Sequence, residues 1–362
     1  MDALTFVLFI LGLGLLVGGA ELLVRGASRL ALGVGVSPLV IGLTVVAYGT
    51  SFPEFSVSLL SALDDKPDLA LGNVVGSNIF NILLILGISA CITPLTISYQ
   101  IIRLDAPIMI GTALVVLLMG WSGIISPLEG LVLVSGAFLY TWFVIRQSRR
   151  EVKAQAAENE TPPVQLGFKS VLLNLLLIVL GLGLLVLGSR WLIDGAVIIA
   201  RLAGLSELVI GLTIVAGGTS LPEVAASVVA ALRGERDIAV GNVVGSNIFN
   251  ILFVLGASSA VSGGGVAVSL EALQFDIPVM IAVSVLCLPL FYTGFELSRW
   301  EGGLFLLYYI LYTVFLVLKS SASESLEMYR MIVIYIVIPL SLLTVVGSVI
   351  YSRWHHKKES AS

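Results

Sequence analysis

Histidine is nearly absent from this 362-residue sequence, and both copies, His355 and His356, fall in the last few positions. A histidine proton relay or histidine zinc centre in the body of the chain is therefore excluded. Cysteine is as scarce. Cys91 and Cys287 lie in or beside apolar stretches, and two thiols build neither a disulfide framework nor a thiolate metal cluster. The most telling shortage is charge: Lys, Arg, Asp and Glu make up 12% of the residues, against about 25% in an ordinary water-soluble domain. So few charges cannot cover a water-facing surface, and the chain reads as a membrane protein. A formal net charge of −4 with no long basic stretch argues against a nucleic-acid partner.

Apolar runs are what the sequence has in abundance. They fall at 4–32, 36–63, 68–93, 104–121, 125–146, 168–200, 205–232, 237–262, 274–294, 300–318 and 330–352, each close to the length of about 20 residues that crosses a bilayer. The first run follows Met1-Asp2-Ala3 with no basic n-region and is too long for the core of a signal peptide, so it reads as a span. The longest hydrophilic piece, Arg146 to Gln165, is a linker and not a domain. The expected organisation is a five-span first repeat at 1–147, a cytoplasmic linker at 148–167 and a five-span second repeat at 168–320. An additional span at 329–352 and a cytoplasmic tail at 353–362 follow.

The two halves are copies of each other. IGLTVVAYGTSFPEFSVSLLSA from Ile41 aligns without gaps to IGLTIVAGGTSLPEVAASVVAA from Ile210, an offset of 169. GNVVGSNIFNIL from Gly72 recurs letter for letter from Gly241 at the same offset, as does GLGLLV from Gly12 at Gly181. Five spans per half is an odd number, so the second copy enters the membrane in the opposite orientation and the repeats are inverted. With the N-terminus outside, only Lys66, Arg190, Arg201, Lys319 and Arg330 of the 19 basic residues stay outside. The positive-inside rule therefore favours an outside N-terminus, with the linker and C-terminus in the cytoplasm.

Two carboxylates stand deep in apolar runs: Glu54 in Gly49-Thr50-Ser51-Phe52-Pro53-Glu54 and Glu223 in Gly218-Thr219-Ser220-Leu221-Pro222-Glu223. A charge near the bilayer centre costs at least about 2.5–3.5 kcal/mol and usually faces an interior cavity with a partner. No Lys or Arg lies deep enough in a span to neutralise both. Pro53 and Pro222 release the carbonyls of Gly49 and Gly218, which must find protein, water or a cation. On a helix Thr50, Ser51 and Glu54 share one broad face, as do Thr219, Ser220 and Glu223. The third span adds a stripe of Asn73, Ser77 and Asn81, and the eighth repeats it with Asn242, Ser246 and Asn250. Hydroxyl, amide, carboxylate and carbonyl oxygens without nitrogen or sulfur form a ligand set for a hard cation such as Ca²⁺ or Na⁺.

Structural roles stand beside these readings. The Gly72-xxx-Gly76 and Gly241-xxx-Gly245 spacings also suit close helix packing, and buried Asn and Ser also tie helices together. Asn78 and Asn247 lie off the stripe as braces. Asp105 and Asp276, each two residues before a proline, read as N-caps of the fourth and ninth spans. Glu21 and Arg190 hold equivalent repeat positions and read as an ion pair or as span-end charges.

The duplicated GTSxPE and GNVVGSNIFN motifs, in inverted five-span halves, resemble the alpha repeats of the cation/calcium exchanger superfamily, most closely its prokaryotic sodium/calcium exchanger branch. The resemblance covers roughly residues 4 to 318. It implies an all-α membrane fold in which the second, third, seventh and eighth spans form a central bundle. The long first and sixth spans lie across that bundle and slide between inward- and outward-open states. It further implies a calcium site at Glu54 and Glu223 with the backbone carbonyls of Thr50 and Thr219. Flanking sodium sites fall on Ser51, Ser77, Ser220 and Ser246 with the carbonyls of Ala47 and Ala216, and a middle position on Asn81 and Asn250. Some relatives carry aspartate where Asn250 stands, so one titratable group is missing here. The eleventh span has no counterpart in the ten-helix pattern.

The function expected is Ca²⁺/Na⁺ antiport across the cell membrane, with Ca²⁺ and Na⁺ as substrates, no resident cofactor, the lipid bilayer as surroundings and either a monomer or an oligomer of unspecified size as the assembly. Ca²⁺/H⁺ antiport and a K⁺-coupled exchanger are the alternatives within transport, and a channel lies outside that class. An intramembrane hydrolase lacks a base: neither Ser51 nor Ser220 has a histidine or lysine in reach.

Overall fold

A computed structural model describes residues 3–64, 66–158, 167–202, 210, 214, 216–321, 323–341, 343, 344 and 347. Eight helices among these are long and apolar enough to cross a membrane, and a ninth crossing is a bent pair. The first span is Ala3–Val34 and the sixth is Phe168–Leu202. The third, fourth and fifth are Leu69–Ile92, Ile101–Gly120 and Pro127–Glu158, and the eighth, ninth and tenth are Arg236–Val261, Ala272–Tyr292 and Arg299–Ser320. The expected seventh span at 205–232 falls partly outside the described residues; its described part is a turn at Ala216–Gly218 and a helix at Leu221–Leu232. The expected eleventh span opens with Leu326–Ile332 and Val333–Val337; the rest of 329–352 is described only in part, and the tail at 353–362 lies outside the described residues. The fifth helix runs on to Glu158, so the linker expected from 148 begins as helix.

The second span corrects the expectation of one continuous polar face. It breaks at Ser51 (φ −80°, ψ 8°), and Pro38–Thr50 meets Phe52–Leu63 at 47°. Pro53 causes the break, because its ring excludes the preceding turn while suiting the first turn of a new helix. Ser220 has nearly the same torsions (φ −88°, ψ 6°) ahead of Pro222. Glu54 and Glu223 therefore each sit in the first turn of a half-helix deep in the membrane.

Burial orders the spans into a centre and a periphery. In the most apolar window of the eighth span 94% of the residues are buried, and 72% in the third, against 33% in the first and 28% in the sixth. The third and eighth spans form the core; the first and sixth lie outside and pack on each other along their length. Glycines make that contact close. A Cβ on Gly19 would stand 2.8 Å from the Gly181 carbonyl oxygen, and one on Gly188 2.7 Å from that of Gly12.

Two short strand pairs join the halves. Leu95–Thr96, after the third span, pairs antiparallel with Glu296–Leu297, after the ninth, and Ile124–Ile125, after the fourth, pairs with Val266–Ala267, after the eighth. Each pair joins loops that alternating crossings bring to one face, and the two pairs exchange places under the repeat.

Two expectations at span ends are corrected. Asp105 and Asp276 do not act as N-caps: both have helical backbone and neither side chain makes a capping hydrogen bond, while Asp105 Oδ2 accepts from the Gln100 side chain at 3.1 Å. Each instead accepts a hydrogen bond from a tyrosine on the next span, Tyr140 at 2.9 Å and Tyr312 at 3.1 Å. Capping falls to Ser98 and Ser269, whose hydroxyls accept from the N–H groups of Ile101 and Ala272. Glu21 pairs with Arg25 and Arg233, at 3.2 and 2.7 Å, in place of Arg190.

Candidate cation site

Each half-helix presents its glutamate to the opposite repeat. The Ser51 hydroxyl donates to Glu223 Oε1 at 2.9 Å, and the Ser220 hydroxyl donates to Glu54 Oε1 at 2.7 Å. Ser220 also contacts the Ser77 hydroxyl at 3.3 Å. Both carboxylates are buried (0% and 1% exposed), and no Lys or Arg among the described residues pairs with either. Two buried carboxylates, joined crosswise by serines, thus stand without a cationic partner among the described residues, and ionising both calls for a cation that the protein does not supply.

The third and eighth spans hold the half-helices in place. Asn73 Nδ2 donates to the Glu54 carbonyl at 3.1 Å and to Ser58 Oγ at 2.8 Å. Asn242 does the same to the Glu223 carbonyl at 3.4 Å and to Ser227 at 2.8 Å, while its Oδ1 accepts from Thr50. Asn73 and Asn242, expected among the ion ligands, thus spend their amides on bracing glutamate backbone. The freed carbonyl of Gly218 finds the Ser189 hydroxyl on the sixth span at 2.9 Å. Neither Ser189 nor the braces Ser58 and Ser227 were singled out from the sequence. In Ser58 and Ser227, four residues beyond each glutamate, the signal was present, because i and i+4 share a helix face.

Four asparagines meet where the third and eighth spans cross. Asn78 Nδ2 donates to the Asn247 carbonyl and Asn247 Nδ2 to the Asn78 carbonyl, both at 3.2 Å. Asn81 Nδ2 then donates to Asn247 Oδ1 at 3.0 Å and Asn250 Nδ2 to Asn78 Oδ1 at 3.1 Å. Every amide nitrogen is engaged, which fixes the orientation of all four side chains. Asn81 and Asn250 each open a widened π-helical turn, Asn81–Leu86 and Asn250–Leu255, a distortion frequent at functional sites.

Counting partners among the described residues exposes what remains. Glu54 Oε2, Glu223 Oε2, Asn81 Oδ1 and Asn250 Oδ1 are buried acceptors without a hydrogen-bond donor, and Thr219 Oγ1 also has no partner; the remaining unpartnered buried atoms are the hydroxyls of Ser89, Ser258 and Ser259 and Glu301 Oε1. The four acceptors form two pairs related by the repeat. Unpaired buried acceptors are costly and rare, by about 1–3 kcal/mol each, and oxygens of this kind suit a hard cation. Of the other expected ligands, the Ala47 carbonyl accepts from Thr50 at 3.3 Å and Ser246 at 3.5 Å. Ala216 belongs to the turn before Thr219.

The family model for the sodium/calcium exchanger protein matches residues 4–146 and 173–318. The chain belongs to the sodium/calcium exchanger family. Sodium/calcium exchanger MaX1 of Methanosarcina acetivorans is 33% identical over 354 residues, covering 87% of this chain and 99% of MaX1. Inner membrane protein YrbG of Escherichia coli K12 is 38% identical over 245 residues, 67% of this chain and 74% of YrbG. Among solved structures, the sodium-calcium exchanger NCX_Mj superposes with a TM-score of 0.74 at 32% identity, covering 86% of this chain and 98% of its own. As a member of the exchanger family the protein is a multi-pass membrane transporter of cations and not an enzyme, and its fold is the sodium/calcium exchanger fold.

Proposed function

We propose that this exchanger moves Ca²⁺ one way and Na⁺ the other at one shared site, with Glu54 and Glu223 as the common carboxylates. The four buried acceptor oxygens of Glu54, Glu223, Asn81 and Asn250 carry the reading. They offer oxygen only, from both repeats. The Thr50 and Thr219 carbonyls would complete a calcium position, and Ser51, Ser77, Ser220 and Ser246, with the Ala47 and Ala216 carbonyls, flanking sodium positions.

Coupling follows from charge. Two ionised glutamates in a low-dielectric cavity hold about two negative charges, which one Ca²⁺ or two Na⁺ can balance. A site carrying neither is costly to move through the membrane, so movement is favoured only when loaded, and competition for the carboxylates makes the carrier an antiporter. Asn250 holds no titratable proton and its amide is committed to Asn78, which supports Na⁺ over H⁺ as the coupling ion. No resident cofactor enters this scheme.

Access alternates between the faces. Gly241, Asn242 and Gly245 are buried, with Gly241 against the Leu39 carbonyl of the second span, whereas their twins Gly72, Asn73 and Gly76 are exposed or half-buried. One face is sealed while the other is looser, and the long first and sixth spans slide to exchange the two. In our reading the looser face is the outer one, with the N-terminus outside and the linker and C-terminus cytoplasmic.

The test is flux of radioactive Ca²⁺ into proteoliposomes with Na⁺, K⁺ and H⁺ gradients imposed in turn. The Na⁺ gradient drives uptake, and Glu54→Gln or Glu223→Gln abolishes it. Wild-type flux in either variant, or uptake driven by the pH gradient alone, would overturn the assignment.

A further inference from the structure

The eleventh span does not close against the exchanger core. A cavity of about 420 Å³ remains between the ninth, tenth and eleventh spans, within the range of about 300–1,000 Å³ typical of ligand sites. Its lining changes along its length. At one end stand Phe275, Tyr312, Phe315, Tyr329 and Arg330; past Tyr308, one turn further in, the wall is formed by aliphatic residues such as Val283, Leu286 and Ile338. The charged end lies at the membrane boundary: Lys319 reaches over Phe275 and Phe315 and pairs with Glu271 at 2.5 Å, and Arg330 pairs with Glu327 at 3.0 Å. Aromatic rings with Lys and Arg mark the interfacial belt. From Phe275 to Leu286 the ninth helix rises about 16 Å, close to half of a hydrocarbon core about 30 Å thick. The cavity is therefore one leaflet deep.

We propose that this cavity is a binding site for a single membrane phospholipid, with one acyl chain between the ninth and eleventh spans and the phosphate on Arg330. A single-leaflet slot with a guanidinium at its interfacial end and aliphatic walls below matches an amphiphile with an anionic head. The Arg330–Glu327 pair is exposed on both sides (51% and 75%), and such pairs contribute only about 0–1 kcal/mol, so the guanidinium can turn to a phosphate. The chain would also touch the ion-binding bundle. Leu83, in the widened turn that Asn81 opens, forms part of the wall. The eleventh span, which has no repeat partner, thereby acquires a role as the outer wall of a lipid site resting on a helix that carries an ion ligand.

The test uses the full-length protein, delipidated in detergent and titrated with dioleoylphosphatidylglycerol, with retained lipid counted by native mass spectrometry. Ca²⁺-induced thermal stabilisation serves as the folding control for each variant. We expect one lipid retained by the parent chain, none by Ala282→Trp, which fills the slot, and about five-fold weaker binding by Arg330→Gln, the loss of one basic contact to a headgroup. If Ala282→Trp does not fold, Ala282→Leu narrows the same wall and should weaken retention. Equal retention by the parent and both variants would overturn the site. Equal retention of dioleoylglycerol, which has no phosphate, would overturn the assignment of Arg330.

Discussion

The serines beside the prolines act as orienting groups. Ser220 donates to Glu54 Oε1 and Ser51 to Glu223 Oε1, and this leaves the second carboxylate oxygen of each glutamate free to face an ion. A hydrogen bond to a charged acceptor contributes about 1.5–3 kcal/mol, so Ser220→Ala should weaken Ca²⁺ binding about tenfold or more. Isothermal titration checks this, and unchanged affinity would remove the orienting role. Ser189 is a different case, because it satisfies the carbonyl that Pro222 frees and touches no carboxylate. Ser189→Ala should cost about 1–3 kcal/mol of stability through an unsatisfied buried carbonyl, read by thermal unfolding, while Ca²⁺ affinity stays within a small factor of the parent's. The repeat partner of Ser189 is Ala20, so the first half offers no hydroxyl to the Gly49 carbonyl at that position.

Among the elements, the first and sixth helices depend on the absence of side chains where they touch. Gly12 and Gly19 face Gly188 and Gly181 across an antiparallel contact in which an added methyl meets backbone, a rigid partner that cannot turn aside. Gly19→Ala should destabilise by about 1–3 kcal/mol as overpacking. It should also slow exchange in proteoliposomes while leaving Ca²⁺ binding intact, since no ion ligand lies at that contact. Loss of Ca²⁺ binding in Gly19→Ala would show that the pair shapes the site and does not only carry its motion. The broken second span follows the same logic of local backbone chemistry. Pro53 ends one helix and starts the next, so Glu54 lies in a first helical turn, where free N–H groups and the helix dipole stabilise a carboxylate.

At the scale of the whole molecule the two repeats share their motif segments almost letter for letter and differ in packing. Tyr48 stacks on Phe249 with ring centroids 4.1 Å apart, but the repeat counterpart of Tyr48 is Gly217, which leaves Phe80 to meet Tyr309 edge-on at 5.5 Å. Together with the buried Gly241-xxx-Gly245 and the open Gly72-xxx-Gly76, this makes one face of the bundle tighter than the other. A Gly72→Cys thiol, in a chain whose partly exposed Cys91 is replaced by serine, should react with a membrane-impermeant maleimide added from outside. Lys153→Cys on the fifth helix should react only from the cytoplasmic side. Labelling of both from one side would refute the orientation given by the basic residues.

Much of this protein was legible before any folding was considered. The membrane location follows from the scarcity of charge, the inverted duplication from the offset of 169 and an odd span count, and the carboxylate pair from two acids left deep in apolar runs without a cation partner. These are one-dimensional properties, set by hydropathy, parity and local helix periodicity. Tertiary structure alone decided which oxygens stay free. From spacing, Asn73 and Asn81 belong to the same stripe, yet one amide is spent on the Glu54 carbonyl while the other leaves its oxygen without a donor. Asp105 read as a cap because Pro107 follows it, but the preceding helical turn and Tyr140 from the next span claim it instead. A sequence fixes the donors and acceptors each residue brings, but a partner on a distant span is chosen only when packing brings the two within about 3 Å.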